Sequence, residues 1–137
     1  MEFFKQNVLL IGLVLGSGIM LLLPSFKRGA AGVASVSAAE AVALINRSNA
    51  FVLDVRAESE YVAGHILNAK NIPLDVLNDR LQEIKKYQNK PILVNCQRGV
   101  RSVKACEILR KAEFTQVSSL HGGLDAWVGA KLPVVRG

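Results

Sequence analysis

The chemistry that this sequence can support centres on Cys96 and the short run of glycine, arginine and serine residues that follows it. The apolar run 92–94 precedes the cysteine and is typical of a buried strand, and Ser102 begins a helical pattern. A loop between a strand and a helix directs several backbone N–H groups into one concavity, and the helix N-terminus adds partial positive charge. Such surroundings lower the pKa of a thiol, so we predict that Cys96 is a nucleophile at neutral pH.

Two arginines of this loop, Arg98 and Arg101, add positive charge that suits an anionic sulfur or oxyanion substrate. We expect Arg98, at the tip of the loop, to meet solvent and substrate. Two roles remain open for Arg101, which can point at the substrate or pair with a carboxylate such as Asp54 or Glu60. The alternative for Cys96 is a small buried residue at a strand end, but the composition of the loop favours a functional cysteine.

Length and composition predict one globular domain of about 100 residues with an N-terminal tail. Half of the 137 residues are hydrophobic and 20% are charged, which excludes a disordered chain. The net charge of +6 is not concentrated in a basic block, so we expect no nucleic-acid partner. The two cysteines, Cys96 and Cys106, lack the spacing of a zinc site, and we expect no metal and no cofactor. We expect Cys106 to be buried filler rather than a partner thiol.

The N-terminal segment is apolar. Residues 8–23 carry no charge, and an α-helix counted from Phe3 has 21 residues and a length of about 31 Å, enough to span a bilayer. We therefore predict one transmembrane helix as a membrane anchor over 1–26, followed by a flexible linker over 27–36. Lys27 and Arg28 favour a cytoplasmic location for the C-terminal side of this helix. A cleaved signal peptide is the alternative, although its positive charges would precede the apolar run.

From residue 37 onward, strand and helix patterns alternate, which predicts a mostly parallel sheet with helices on both faces. The predicted strands are 51–55, 70–72, 92–94 and 116–120. The predicted helices are 37–47, with Ser37 and Glu40 forming a capping box, 58–62, an amphipathic helix over 76–87, a helix from Ser102, and 124–130.

The loop Cys96-Gln97-Arg98-Gly99-Val100-Arg101 resembles the Cys-x-x-Gly-x-Arg loop of the rhodanese family of sulfurtransferases. Three further segments resemble family motifs in the same order: Leu53-Asp54-Val55-Arg56 with Glu60-Tyr61 and Gly64-His65-Ile66, then Asn71-Ile72-Pro73, then Gly122-Gly123-Leu124-Asp125-Ala126-Trp127. The resemblance implies a rhodanese domain over 37–137, with a three-layer α/β fold whose central, mostly parallel sheet is flanked by helices.

The resemblance also implies a mechanism. Cys96 would take a sulfane sulfur from a small anionic donor such as thiosulfate, hold it as a persulfide, and pass it to a thiol or cyanide-like acceptor. The family's persulfide-binding loop corresponds here to Gln97, Arg98, Gly99, Val100 and Arg101. We expect structural support of the site from Asp54, Arg56, His65 and Ser102, with His65 a hydrogen-bonded scaffold residue rather than a general base. We expect Trp127 to lie in the core.

The segment order is similar to that of membrane-anchored bacterial rhodanese-like proteins, which implies a single-pass protein of the bacterial inner membrane with its catalytic domain on the cytoplasmic side. A protein sulfur acceptor or a membrane-protein partner is compatible with this location. One alternative is a tethered rhodanese-fold interaction module with little catalysis. Another is a phosphatase or arsenate reductase, but those related folds carry a Cys-x5-Arg loop, whereas four residues separate Cys96 from Arg101.

Overall fold

The computed structural model describes residues 27–28 and 33–137. The predicted membrane anchor, 1–26, lies outside the described residues. No helix among those described has the length and apolar character needed to cross a membrane. The predicted transmembrane helix within 1–26 therefore stays a prediction.

Six strands and five α-helices, with one 3₁₀ helix, make up the described part of the chain. In chain order they are β1 (Lys27–Arg28), β2 (Ala34–Val36), α1 (Ala38–Ser48), β3 (Phe51–Asp54), α2 (Glu58–Ala63), β4 (Lys70–Asn71), α3 (Leu74–Leu77), the 3₁₀ helix (Leu81–Tyr87), β5 (Ile92–Asn95), α4 (Val100–Lys111), β6 (Val117–Leu120) and α5 (Gly123–Gly129).

The strands form one sheet in the order β1-β2-β6-β5-β3-β4. β1 pairs antiparallel with β2, and every other pairing is parallel, as the alternation of strands and helices predicted. All four residues of β5 are buried. Because helices cover both faces of a parallel sheet, a central strand is buried on both faces, which explains the unbroken apolar run Ile92–Leu93–Val94.

Two hydrophobic clusters lie on opposite faces of this sheet. Alternate residues of a strand point to opposite faces, and Leu53 and Val94 belong to one cluster whereas Val52 and Leu93 belong to the other. The first cluster is completed by α4, α3 and the 3₁₀ helix, and the second by α1 and α5. Three layers result, as expected.

The predicted flexible linker is wrong for its last residues. Ala34–Val36 form β2, which pairs with β6, and Val33 and Val36 are each 1% exposed. The two valines bury against the sheet, which outweighs the flexibility that the small residues between them would otherwise allow. The ordered sheet therefore begins before Ser37. The predicted capping box is confirmed, since the Glu40 N–H donates to Ser37 Oγ and the Ser37 N–H donates to Glu40 Oε1.

The predicted amphipathic helix over 76–87 is also wrong. α3 ends at Leu77, and the chain continues through a turn into the 3₁₀ helix. Asn78 and Asp79 are poor helix formers because their side chains compete for backbone hydrogen bonds. The α-helical hydrogen bonds do not continue here. The Asp79 N–H donates to Val76 O and the Arg80 N–H donates to Leu77 O, which is the i to i−3 pairing of a 3₁₀ turn.

Candidate active site

Cys96 is the first residue after β5, at the carboxyl edge of the parallel sheet, where open α/β sheets place their sites. The loop turns back so that the Gly99 N–H donates to Cys96 Sγ over 3.0 Å. Cys96 Sγ also lies 3.4 Å from Ser102 Oγ, which is 2.7 Å from Ser119 Oγ. Cys96 as a whole is 1% exposed, so its sulfur lies at the base of the loop rather than on its rim.

Helix α4 begins at Val100, two residues earlier than the predicted start at Ser102. The N–H groups of Val100, Arg101 and Ser102 are the first of the helix and therefore have no acceptor within it. Because the N–H of Gly99, the residue before the helix, donates to Cys96 Sγ, the sulfur lies at the positive N-terminal end of this 12-residue helix.

The early start of α4 depends on Gly99, the residue before the helix, whose φ is +96°. A Cβ at this position would lie 3.1 Å from the backbone nitrogen of Gly122 and 3.4 Å from Leu120 O. Only glycine combines this positive φ with so close an approach to the neighbouring backbone. The loop is therefore positioned against the segment that joins β6 to α5.

Asp54 and Arg56 form a buried ion pair beside the loop, with exposures of 0% and 2%. Arg56 Nε lies 3.1 Å from both Asp54 oxygens, and Nη2 donates to Oδ2 over 2.7 Å. The same guanidinium donates to Gln97 Oε1 over 3.0 Å and to Gly64 O over 2.6 Å. Arg56 thus connects β3, the cysteine loop and the end of α2, without touching the sulfur itself.

Arg101 pairs with Glu60, one of the two carboxylates that the sequence offered as its partner. Its Nη1 and Nη2 donate to the two carboxylate oxygens over 2.8 and 3.1 Å. This hydrogen bonding lowers the pKa of Glu60 from its ordinary 4.5 and raises the pKa of Arg101. Because the lowered pKa belongs to the carboxylate, the pair stays charged above about pH 4.5 and is lost only in more acidic solution.

Sequence reasoning gave no role to Asp125, a residue of the first turn of α5. Gln97 Nε2 donates to Asp125 Oδ1, and Arg98 Nε lies 4.0 Å from Asp125 Oδ2. Arg98 is 85% exposed, at the loop tip as expected. Sequence reasoning also gave no role to Ser119, which is buried in β6 beside β5. A serine inside the predicted strand 116–120 could have indicated a buried polar contact.

His65 makes contacts with Tyr61 and Val135. Its Nδ1 is 2.8 Å from Tyr61 O, and its ring stacks on the Tyr61 ring with centroids 3.7 Å apart. Its backbone exchanges two hydrogen bonds with Val135. Trp127 is 5% exposed and donates from Nε1 to Pro133 O, so it lies in the core as predicted.

Cys106 is fully buried on α4, and both cysteines are free thiols. Burial raises the pKa of Cys106 to about 12, so it stays protonated at neutral pH. Within the described ranges, no three histidine, cysteine or acidic side chains are grouped so that they could hold a metal ion. The nucleophile that the geometry offers is Cys96.

Known proteins are similar to this chain in both sequence and fold. Uncharacterized protein YibN of Escherichia coli K12 is 32% identical over 120 residues, which are 87% of this chain and 84% of YibN. A sulfurtransferase of Allochromatium vinosum is 30% identical over 92 residues, 67% of this chain and 84% of that protein. The crystal structure of a rhodanese-related protein from Thermoplasma volcanium matches with a TM-score of 0.67 and 32% identity, over 74% of this chain and 96% of that one.

The sequence model of the rhodanese-like domain family matches residues 37–130. This range contains the cysteine loop, the Asp54–Arg56 pair and the glycines at the start of α5, Gly122 and Gly123, which belong to the segments that carried the resemblance. The match covers well over half of the 137 residues. The chain therefore belongs to the rhodanese-like domain family.

Proposed function

We propose that this protein is a sulfurtransferase that carries a sulfane sulfur on Cys96. The Cys96 thiolate attacks the outer sulfur of thiosulfate or a related donor. The S–S bond of the donor breaks, its electron pair leaves with sulfite, and a new S–S bond makes Cys96 a persulfide. A thiol or cyanide-like acceptor then attacks the outer sulfur and removes it, and Cys96 returns to the thiolate.

One observation carries this proposal: the Gly99 N–H donates to Cys96 Sγ at the N-terminus of α4. A backbone N–H and the positive end of a helix stabilise a thiolate and, one bond further out, a persulfide anion, so the proposed reaction needs no separate general base. The name of the Allochromatium vinosum relative, a sulfurtransferase, supports the same reaction class.

Treatment with a sulfane donor in the absence of reductant is expected to add one sulfur atom to the purified protein, as measured by intact-mass analysis. Thiosulfate and an alkyl persulfide are both used as donors. Cys96→Ala is expected to abolish the gain. Cys106→Ala is the matched control and is expected to retain it, because that thiol is buried and protonated. Cyanide should remove the added sulfur and release thiocyanate.

A gain that persists in Cys96→Ala would contradict the assignment of the nucleophile. No gain with either donor would contradict sulfur transfer and favour the non-catalytic alternative, a rhodanese-fold interaction module. Hydrolysis of an aryl phosphate that disappears in Cys96→Ser would favour a phosphatase.

We further propose that residues 1–26 anchor the protein in a bacterial inner membrane, with the rhodanese domain on the cytoplasmic side. The uncharged run 8–23 and the cations Lys27 and Arg28 that follow it support this topology. The 120-residue similarity to YibN is longer than the 101 residues from Ser37 to the C-terminus, so it includes part of this segment.

In a bacterial host, the full chain is expected in the membrane fraction after alkaline carbonate washing, and a variant lacking residues 1–23 in the soluble fraction. A fluorescent protein fused after Gly137 should fluoresce if the domain is cytoplasmic. Release of the full chain by carbonate would contradict the membrane anchor. N-terminal sequencing of the membrane-bound protein would exclude signal-peptide cleavage if it found residues 1–26 intact.

A further inference from the structure

Three opposite-charge pairs lie at the cysteine loop. Arg56 is paired with Asp54, Arg101 with Glu60, and Arg98 faces Asp125. Each arginine that belongs to the cysteine loop or contacts it thus has a carboxylate within 4.0 Å. The loop arginines that suggested an anion-binding site are compensated by residues from α2 and α5.

This compensation matters for the choice of donor. Thiosulfate carries two negative charges and must approach a thiolate, which carries a third. Attraction of such a dianion requires uncompensated positive charge near the mouth of the site. What remains here beyond the ion pairs is the Gly99 N–H, which donates to Cys96 Sγ, together with the positive N-terminus of α4, and these suit a single sulfur anion.

An exposed apolar residue follows the glycine of the cysteine loop. Val100, the first residue of α4, comes directly after Gly99 and is 68% exposed. A donor whose leaving group contains carbon can pack on this side chain and remove its apolar surface from water, whereas the oxygens of thiosulfate gain nothing from it. The paired charges at the loop and the exposed Val100 next to it therefore both favour a donor with a carbon-containing leaving group.

We propose that the sulfur donor of Cys96 is an organic persulfide, R–S–SH, in preference to the thiosulfate dianion, and that Asp125 sets this preference by compensating Arg98. The Cys96 thiolate attacks the outer sulfur, the S–S bond of the donor breaks, and the thiolate R–S⁻ leaves with the electron pair. The proton stays on the transferred sulfur, so Cys96 becomes a persulfide without any oxidant or reductant. The proposal rests on the sulfurtransferase function proposed above.

Asp125→Asn is the informative variant. Asp125 is 56% exposed, and an asparagine Oδ1 can still accept the hydrogen bond of Gln97 Nε2, so the fold is preserved while one negative charge is removed. Glu113→Gln is the matched control. It removes the same charge just beyond the C-terminus of α4, about 18 Å along the helix from the loop.

The experiment measures second-order rate constants for loading of Cys96 on the purified full chain by quenched intact-mass analysis. The donors are thiosulfate and the persulfide of N-acetylcysteine methyl ester, in which only the persulfide ionises. We expect the wild-type protein to load faster from the persulfide. The ratio of the thiosulfate to the persulfide rate constant should rise about threefold to tenfold in Asp125→Asn at low ionic strength, and this rise should shrink in 0.5 M salt, a level at which the Debye length is only about 4 Å.

An unchanged ratio in Asp125→Asn, an equal rise in Glu113→Gln, or faster loading of the wild-type protein from thiosulfate would overturn this inference and leave the sulfurtransferase function standing. Failure of both donors to load Cys96 would instead overturn the function itself. The two failures are therefore distinguishable in one data set.

Discussion

Replacing Arg56 with methionine is expected to lower the free energy of unfolding by about 3–5 kcal/mol, because it leaves Asp54 as a buried carboxylate without its ionic partner. Asp54 is 0% exposed and would retain only the residue 56 backbone N–H at 2.9 Å and Asn95 Nδ2 at 3.4 Å. The substitution also removes the donor to Gln97 Oε1, so the cysteine loop loses a hydrogen bond to the segment that follows β3. Urea unfolding of the purified protein measures the change.

Two controls separate the buried pair from general effects of losing an arginine. In Asp54→Leu/Arg56→Met, both charges are absent, and much of the lost stability should return. Arg80→Met removes the ion pair between Arg80 and Glu83, two side chains that are each 38% exposed. It should lower the free energy of unfolding much less than Arg56→Met. If Arg56→Met were no more destabilising than Arg80→Met, the buried pair would have no special role.

Local features of the sequence were sufficient to predict the layered fold and the position of the cysteine loop between β5 and α4. The apolar run before Cys96 predicted β5, Ser37 and Glu40 predicted the start of α1, and the glycine and arginines after the cysteine identified the loop. These signals operate over a few residues and depend on backbone propensity and burial, which a sequence displays directly.

Pairings between distant segments could not be predicted in the same way. The choice of Glu60 rather than Asp54 as the partner of Arg101 depends on how α2 packs beside α4, 41 residues away along the chain. Asp125 reaches Gln97 across 28 residues for the same kind of reason. The start of α4 at Val100 was missed because Gly99 takes its positive φ in contact with the backbone of Gly122, a tertiary condition rather than a local preference.

Replacing Gly123 with alanine is expected to destabilise the protein by about 2–4 kcal/mol and to remove most of the sulfur loading of Cys96. Gly123 has a φ of +60°, which costs a residue with a Cβ about 1 kcal/mol or more. The added Cβ would lie 2.5 Å from Cys96 O and 2.6 Å from the carbonyl carbon of Gln97, and relief of such overpacking typically costs about 1–3 kcal/mol. Loading rate and urea midpoint are measured together.

The same substitution at the other end of α5 is expected to have the opposite sign. Gly129 has no heavy atom within 4 Å of its added Cβ, so Gly129→Ala should stabilise the helix by about 0.4–1 kcal/mol and leave loading unchanged. Gly123→Ala must move α5 away from the loop, which breaks the hydrogen bond from the Leu124 N–H to Cys96 O and the bond from the Asp125 N–H to Gln97 O. Normal loading in a folded Gly123→Ala protein would show that these two bonds do not hold the cysteine loop in its active geometry, and that β5 and α4 alone position the sulfur.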